Sequence, residues 1–390
     1  MDRNNRRVGV AVLGAGGRGQ HVTASLLRDS GGRVDVAAVF DPAREQCRKA
    51  IEAWDTQGTR IADSYEEAIG ADGVEWVLVF SPNAHHKEQI LAAFACGRHV
   101  FAEKPLATTI DDCQAIQDAH AATDLQFATG FVLRYAPLYR KVREILDAGT
   151  VGRIIGIDAN ENIAPAHGGY IMMNWRRHTD MAGPHILEKC CHDLDLLNWF
   201  TDSIPSTVAA FGGRDFFLPA NRHLHEKHGD ETFTAWPDPH RIDTPFNDDN
   251  DLMDNLVAIL EYRNGVRVQF QATMCNPIPE RRMFFSCTEG TMIAELYTGV
   301  LRYKRLGEKD ETVIASTGDG HGGGDDLIMK ELFDTMVNGT PPRCSGNEGL
   351  LSAVTALGID RAARERRVVD LEPVWERLGQ TGAPDPGKGG

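Results

Sequence analysis

The sequence predicts an α/β protein in two parts: a doubly wound parallel sheet over residues 1–150, then an α+β domain with a large open, mostly antiparallel sheet over residues 151–378, with a flexible Gly/Pro-rich tail at 379–390. Three observations carry this. The first part alternates short, almost uniformly apolar runs with amphipathic stretches, the pattern of strands buried on both faces beneath helices. The second part has longer runs that mostly follow one another without helices. Two of them are joined by Tyr262-Arg263-Asn264-Gly265, and Asn-Gly readily takes the positive φ of a tight hairpin turn. Finally, a glycine-rich turn, Gly14-Ala15-Gly16-Gly17-Arg18-Gly19, separates the first apolar run from the first amphipathic stretch.

In chain order, the strands expected in the first part are Val8–Leu13, Val34–Phe40, Val74–Phe80, His99–Ala102 and Gln126–Thr129. Each is followed by a helix: Arg18–Arg28, Ala43–Trp54, His85–Ala95, Ile110–Ala121 and Pro137–Ala148. Right-handed crossovers wind such strands into a sheet with helices on both faces. The second part offers strands at Ile154–Asn160, Thr207–Gly212, Asn255–Tyr262, Val266–Met274, Arg282–Thr288 and Met292–Leu296, and closes with helices Asp325–Val337 and Asn347–Arg366. The stretch Gly213–Asp251 fits neither pattern; it holds His223, His225, His228, His240 and four prolines. Loops this long are usually functional or disordered, so it reads as a surface loop or lid. A metal site is the alternative, but the histidine spacing is irregular and no metal is expected.

The bulk composition narrows the function classes. The chain has 390 residues, 42% hydrophobic, with a formal net charge of −15. An acidic surface repels phosphate backbones, so nucleic acid is not an expected partner. None of the 8 cysteines forms a CxxC pair, which argues against a zinc site or a redox dithiol and for a reducing cytoplasm. No apolar run reaches the roughly 18 residues a membrane helix needs. The basic start, with Arg3, Arg6 and Arg7, leads directly into the first strand without the apolar stretch and cleavage site of a secretory signal.

The glycine turn matches G-x-G-x-x-G through Gly14, Gly16 and Gly19, after a strand and opening a helix. Its first glycine permits the tight turn, the second lets a pyrophosphate reach the backbone, and the third lets helix and strand pack closely. The helix N-terminus then offers amide donors and a positive dipole end to the anion. Gly17 and Arg18 complete the turn. Asp41, 22 residues beyond Gly19, stands where a carboxylate accepts hydrogen bonds from ribose hydroxyls and repels a 2′-phosphate. The first part is therefore expected to be a Rossmann domain using NAD. Arg44, close to Asp41, leaves some room for NADP.

Two further motifs carry chemistry: Ala102-Glu103-Lys104-Pro105 directly after a strand, and Glu188-Lys189-Cys190-Cys191-His192-Asp193-Leu194-Asp195 in a predicted helix. Oxidising an alcohol removes a hydride from carbon and a proton from oxygen, so a side chain must take the proton. Lys104 lies just past a strand end, where ligands of open α/β sheets bind, and is placed to hydrogen-bond the substrate oxygen. His192 is the candidate proton acceptor. Glu188 four residues earlier shares its helical face and is expected to orient the imidazole, with Asp195 acting from the other side. Lys189 adds a second cation. In Asn174-Trp175-Arg176-Arg177-His178, Trp175 is suited to stack on a sugar face, and Arg176 and Arg177 to clamp an anionic group, unless they simply anchor acidic neighbours.

With the glycine turn, these motifs resemble the Gfo/Idh/MocA family, named for glucose–fructose oxidoreductase and inositol dehydrogenase. Further matches are Ser81-Pro82-Asn83 with His86, Gly130-Phe131 with Arg134, Val151-Gly152-Arg153-Ile154, and the closing helices. The resemblance covers nearly the whole chain. It implies cofactor contacts from Ser81, Asn83, His86, Glu103 and Lys104, substrate contacts from Lys104, Arg134, Lys189 and His192, and a homodimer or homotetramer formed through the C-terminal sheet. In the family an Asp commonly stands where this chain has Glu188. Three functions follow as expectations. The leading one is net dehydrogenation of a sugar or polyol. The second is NAD-dependent glycoside cleavage by transient oxidation, elimination, hydration and re-reduction, possible on a carboxylated or sulfonated sugar. The third is a non-enzymatic NAD-sensing regulator, against which the intact Lys104 and His192 speak.

Overall fold

The structure, a computed structural model, describes residues 6–238, 241–318 and 320–380. Of the expected tail only Gly379 and Gln380 fall within these; Arg3 and His240 lie outside them. The first elements are β1 (Val8–Leu13), α1 (Gly17–Ser30), β2 (Val34–Phe40), α2 (Arg44–Trp54), β3 (Arg60–Ile61), α3 (Tyr65–Ile69), β4 (Val74–Val79), α4 (His86–Ala95), β5 (His99–Ala102), α5 (Ile110–Ala121), β6 (Phe127–Thr129) and α6 (Pro137–Asp147). Then come β7 (Ile154–Asn162), α7 (Pro165–Met173), α8 (Thr179–Ala182), α9 (His185–Glu188), α10 (Cys191–Thr201), β8 (Pro205–Gly213), α11 (His223–His228), β9 (Asn255–Tyr262) and β10 (Arg267–Thr273). The chain continues through β11 (Arg282–Cys287), β12 (Gly290–Glu295), β13 (Val300–Arg305), β14 (Thr312–Ala315), α12 (Gly324–Asn338), α13 (Gly346–Glu365), β15 (Val369–Asp370) and α14 (Glu372–Arg377).

These elements form two compact units, Met1–Tyr135 with Gly324–Leu350, and Ala136–Gly323 with Leu351–Gly390. The contiguous division at residue 150 that the sequence suggested assigns α6 and α12 differently. The reason for α12 is chemical: Asp326 accepts from the Ser25 hydroxyl at 2.9 Å and from Arg28 at 2.7 Å, both on α1.

The first unit holds a six-stranded sheet in the order β3-β2-β1-β4-β5-β6 with every pair parallel. Val10, Ala11, Val12 and Leu13 of β1 are fully buried, as strands covered on both faces require. Strand order reverses between β1 and β4, so the carboxyl ends of these two strands border the crevice in which such sheets bind ligands. The chain's second sheet, in the other unit, has nine strands in the order β14-β13-β12-β11-β7-β10-β9-β8-β15. It is antiparallel except where β10 runs alongside β7. Along β9, Ala258, Leu260 and Tyr262 point into the core while Val257 and Ile259 face outward. The outer face therefore carries exposed apolar side chains, with Phe211 73% and Ile259 60% exposed.

The stretch Gly213–Asp251, expected as a surface loop or lid, contributes a buried aromatic cluster from its described residues. Phe217, Phe233 and Phe246 are buried against Ile163, Ile171, Met172, Leu252 and Met274. Asp254 anchors its start by accepting the amides of Asp215, Phe216 and Phe217 at 2.8, 3.0 and 2.7 Å. His225 of this stretch bonds Thr244 and Asp230. Among the described residues there is no group of three or more His, Cys, Asp or Glu able to hold a metal. All 8 cysteines are free thiols. Among the described residues no helix is long and apolar enough to cross a membrane.

Candidate functional site

The glycine turn has the geometry its spacing predicts. Gly14 adopts φ +94°, and a Cβ there would stand 2.6 Å from the Phe80 carbonyl carbon. A Cβ on Gly19 would stand 2.1 Å from the Gly14 oxygen. These two positions therefore exclude any side chain, and they bring the turn against the end of β4. Gly16 and Gly17 are the opposite: a Cβ on either meets nothing within 4 Å, so their outward side is open. α1 begins at Gly17 with the extended Gly16 as its N-cap, so no side chain covers the first-turn amides. An open, side-chain-free turn leading into a helix N-terminus fits a pyrophosphate. The Asp41 carboxylate closes the turn by accepting the Ala15 amide at 2.9 Å and the Ala43 amide at 2.8 Å, one on each oxygen. A carboxylate has about four lone-pair sites, so both oxygens keep capacity for ribose hydroxyls. Arg44, the residue that left room for a 2′-phosphate, is ion-paired to Asp63.

Several residues expected on the cofactor also make polar contacts within the first unit. Arg18 donates to Glu103 at 2.6 Å and pairs with Asp325 at 2.7 Å. Burial opposes its charge, but Glu103 and Asp325 outweigh burial and hold its pKa above the ordinary guanidinium value. The other Glu103 oxygen accepts the Lys104 amide at 3.1 Å, and a Cβ on Gly130 would meet this carboxylate at 2.8 Å. Arg18 and Glu103 are thus paired within the protein, and the pair ties the glycine turn to the turn bearing Lys104. His86 is fully buried, its Nδ1 facing the Pro105 oxygen at 2.8 Å and its Nε2 the Ser81 oxygen at 3.0 Å. Burial lowers its pKa against the pull of these two carbonyls. The ring thus bridges the turns after β4 and β5. The Ser81 hydroxyl donates to Gln89 at 2.8 Å, and Asn83 is buried beside it in a 3-10 turn. Lys104 is half-buried at the end of β5. Arg134 lies 3.9 Å from Glu348, which accepts the amide and hydroxyl of Ser345 at the start of α13.

In the second unit the motif around His192 is not one helix. α9 ends at Glu188, Lys189 and Cys190 form a turn, and α10 begins at Cys191. The helical face that Glu188 and His192 were expected to share is therefore interrupted. Glu188 instead accepts Arg176 at 2.9 Å. The Arg176 guanidinium also bonds the Tyr170 hydroxyl at 3.1 Å and lies 4.2 Å from the Trp175 ring centroid and 5.3 Å from that of Tyr170. Arg177 donates to the Asp249 carboxylate at 2.7 Å and to the Asn174 oxygen at 2.9 Å. Both arginines anchor acidic neighbours, and one face of Trp175 carries a guanidinium.

His192, 2% exposed, sits in the first turn of α10. That helix is fixed by a buried charge cluster. Arg281, 1% exposed, donates to both Asp193 oxygens at 2.8 and 2.7 Å and also pairs with Glu161 on β7. Lys189 stands 3.6 Å from Glu161, and the Tyr297 hydroxyl lies 3.2 Å from the same oxygen. Burial raises the Glu161 pKa even against Arg281. Asp195 is buried further along α10, close enough to Tyr262 to help burial raise that phenol's pKa. Lys189 and Asp195 both lie in the interior around this helix.

Three residues escaped the sequence reading. Glu161 and Arg281 had one available signal: Glu161 continues the inward alternation Ile157, Ala159, Glu161 of β7, so a carboxylate on the covered face needed a cation. The third is His321, whose ring centroid lies 5.7 Å from that of His192 with the planes at 56°. Its only signal was a histidine set among Gly318, Gly320, Gly322 and Gly323.

Residues 8–131 match the family model described as "Oxidoreductase family, NAD-binding Rossmann fold", and residues 139–293 match the GFO/IDH/MocA C-terminal domain. An inositol 2-dehydrogenase of Gluconacetobacter diazotrophicus is 32% identical over 200 residues, 50% of this chain and 55% of that protein, so this match spans about half of the relative. A 1,5-anhydro-D-fructose reductase of Ensifer adhaerens is 24% identical over 93% of this chain and 98% of its own. Among solved structures, a levoglucosan dehydrogenase in complex with NADH and levoglucosan superposes with a TM-score of 0.78 over 94% of this chain and 99% of its own, at 16% identity, a likeness of fold. The chain belongs to the Gfo/Idh/MocA oxidoreductase family, and its first unit is that family's NAD-binding domain.

Proposed function

We propose that the protein oxidises a secondary alcohol carbon of a sugar, sugar derivative or polyol. Bound NAD supplies the hydride acceptor. Lys104 hydrogen-bonds the carbinol oxygen, and His192 receives its proton. The observation that carries this reading is the Arg18–Glu103 pair at 2.6 Å, which ties the turn bearing Lys104 to the glycine turn, beside the strand-order reversal. Relatives named as inositol 2-dehydrogenase and 1,5-anhydro-D-fructose reductase support a cyclic polyhydroxylated substrate. The exposed Phe211, Val257 and Ile259 support self-association through the outer face of the nine-stranded sheet. The free thiols suit a reducing compartment, the cytoplasm.

The test is a panel of polyols, monosaccharides and glycosides incubated with the purified protein and NAD, following NADH absorbance and released sugar together. NADH formation with a polyol or sugar is the expected result. Sugar release without net NADH would assign redox-neutral glycoside cleavage instead.

A further inference from the structure

We propose that His321 carries the proton taken up by His192 out to solvent. The inference rests on the preceding reading, that His192 accepts the carbinol proton. In each turnover the carbinol C–H leaves with its electron pair as hydride to NAD, and the O–H proton goes to the His192 imidazole. His192 must lose that proton before the next cycle, yet it is only 2% exposed. Three of the charged groups flanking it in sequence are engaged in ion pairs, Asp193 with Arg281, Glu188 with Arg176, and Lys189 with Glu161, and Asp195 is buried further along α10. A proton leaving through them would have to disrupt buried charge pairs. His321 offers a route outside those three pairs. Its ring is tilted beside that of His192 with centroids 5.7 Å apart, it is half-buried, and imidazole exchanges protons near neutral pH. The sequence of transfers is His192 to His321 to water, which returns both rings to neutral.

The loop is built for this placement. Gly322 and Gly323 take φ +63° and +79°, flanking His321 with backbone that favours glycine. A Cβ on Gly318 would stand 2.3 Å from the Gly322 carbonyl carbon, so these two glycines approach where no side chain fits. Its entry is fixed by the Ser316 amide donating to the Gly299 oxygen at 2.7 Å.

The test uses the full-length protein, NAD and the substrate found in the panel above. His321→Ala is expected to lower kcat about tenfold, below the about 10²–10⁴-fold contributed by a group in direct contact with the reacting atoms, with little change in KM. Added imidazole should restore the rate. His321→Gln fills the same space without carrying a proton, and should show the same loss with an unchanged melting temperature. Wild-type turnover in either variant, or a loss in His321→Ala that imidazole leaves in place, would overturn the relay. Failure of the underlying reading is separate: His192→Asn would then turn over normally as well.

Discussion

Replacing Arg281 by Met removes the guanidinium that Asp193 and Glu161 share. Both carboxylates are fully buried, and the Lys189 ammonium stands 3.6 Å from Glu161. Removing one partner of a buried ion pair costs about 3–5 kcal/mol, because a charge is left without compensation. For a domain of about 150–250 residues each kcal/mol moves the melting temperature by roughly 2–4 °C, so a drop of about 6–20 °C is expected. The loss should depend on pH with a defined sign. Burial already raises the Glu161 pKa above its ordinary 4.5, against the pull of Arg281. Without Arg281 it rises further. A carboxyl whose folded pKa exceeds its unfolded value favours the folded state at pH below the unfolded pKa, and that advantage disappears as pH rises through the folded pKa. The gap between variant and wild type should therefore be wider at pH 8 than at pH 5. Calorimetry at both values measures it, and Glu161→Gln with Asp193→Asn in the Arg281→Met background should recover most of the loss. A pH 8 melting temperature equal to wild type, or a gap that widens in acid, would refute the account of the cluster.

Four further outcomes follow from the same structure. Gly14→Ala forces a Cβ to 2.6 Å from the Phe80 carbonyl carbon at φ +94°, so NADH binding, followed by fluorescence, should be lost together with about 1–3 kcal/mol or more of stability. Asp41→Ala should weaken NAD binding by about 10–100-fold, given about 1.5–3 kcal/mol for a charged hydrogen bond, and weaken NADP binding much less; equal losses in titrations of the two would contradict the ribose contact. Burial lowers the His86 pKa, so the unfolded chain binds its proton first and stability should fall as pH drops below about 6.5. His86→Phe should flatten that slope in melts between pH 5 and 8. Phe211→Asp with Ile259→Asp should shift the particle mass by light scattering towards a monomer while leaving the fold intact.

The parallel sheet was legible because its strands are continuous apolar runs: β1, β2 and β5 occupy the residues their runs indicate. β3 has two residues, too few for any period, and was invisible. β13 and β14 have mostly exposed side chains, so the alternation that marks a half-buried strand is weak. α7 reads Pro-Ala-His-Gly-Gly-Tyr-Ile-Met-Met, apolar all round with paired glycines, so its sequence shows no amphipathic stripe. The Gly213–Asp251 core comes from phenylalanines spaced without period, which only tertiary packing brings together. At the site, residue types were legible and their partners were not. Spacing placed Glu188 with His192, yet the turn at Lys189–Cys190 ends that register and Arg176 takes the carboxylate. Arg18 and Glu103 are 85 apart in sequence, and no local pattern announces their pairing.

The most direct test of the central claim is a double-mutant cycle on kcat/KM with Lys104→Met and His192→Asn. If both side chains act on one carbinol, each single change should cost about 10²–10⁴-fold, and the double variant little more than the worse single. Losses that multiply, or a His192→Asn enzyme with wild-type kcat/KM, would show that the two residues do not share one reacting centre.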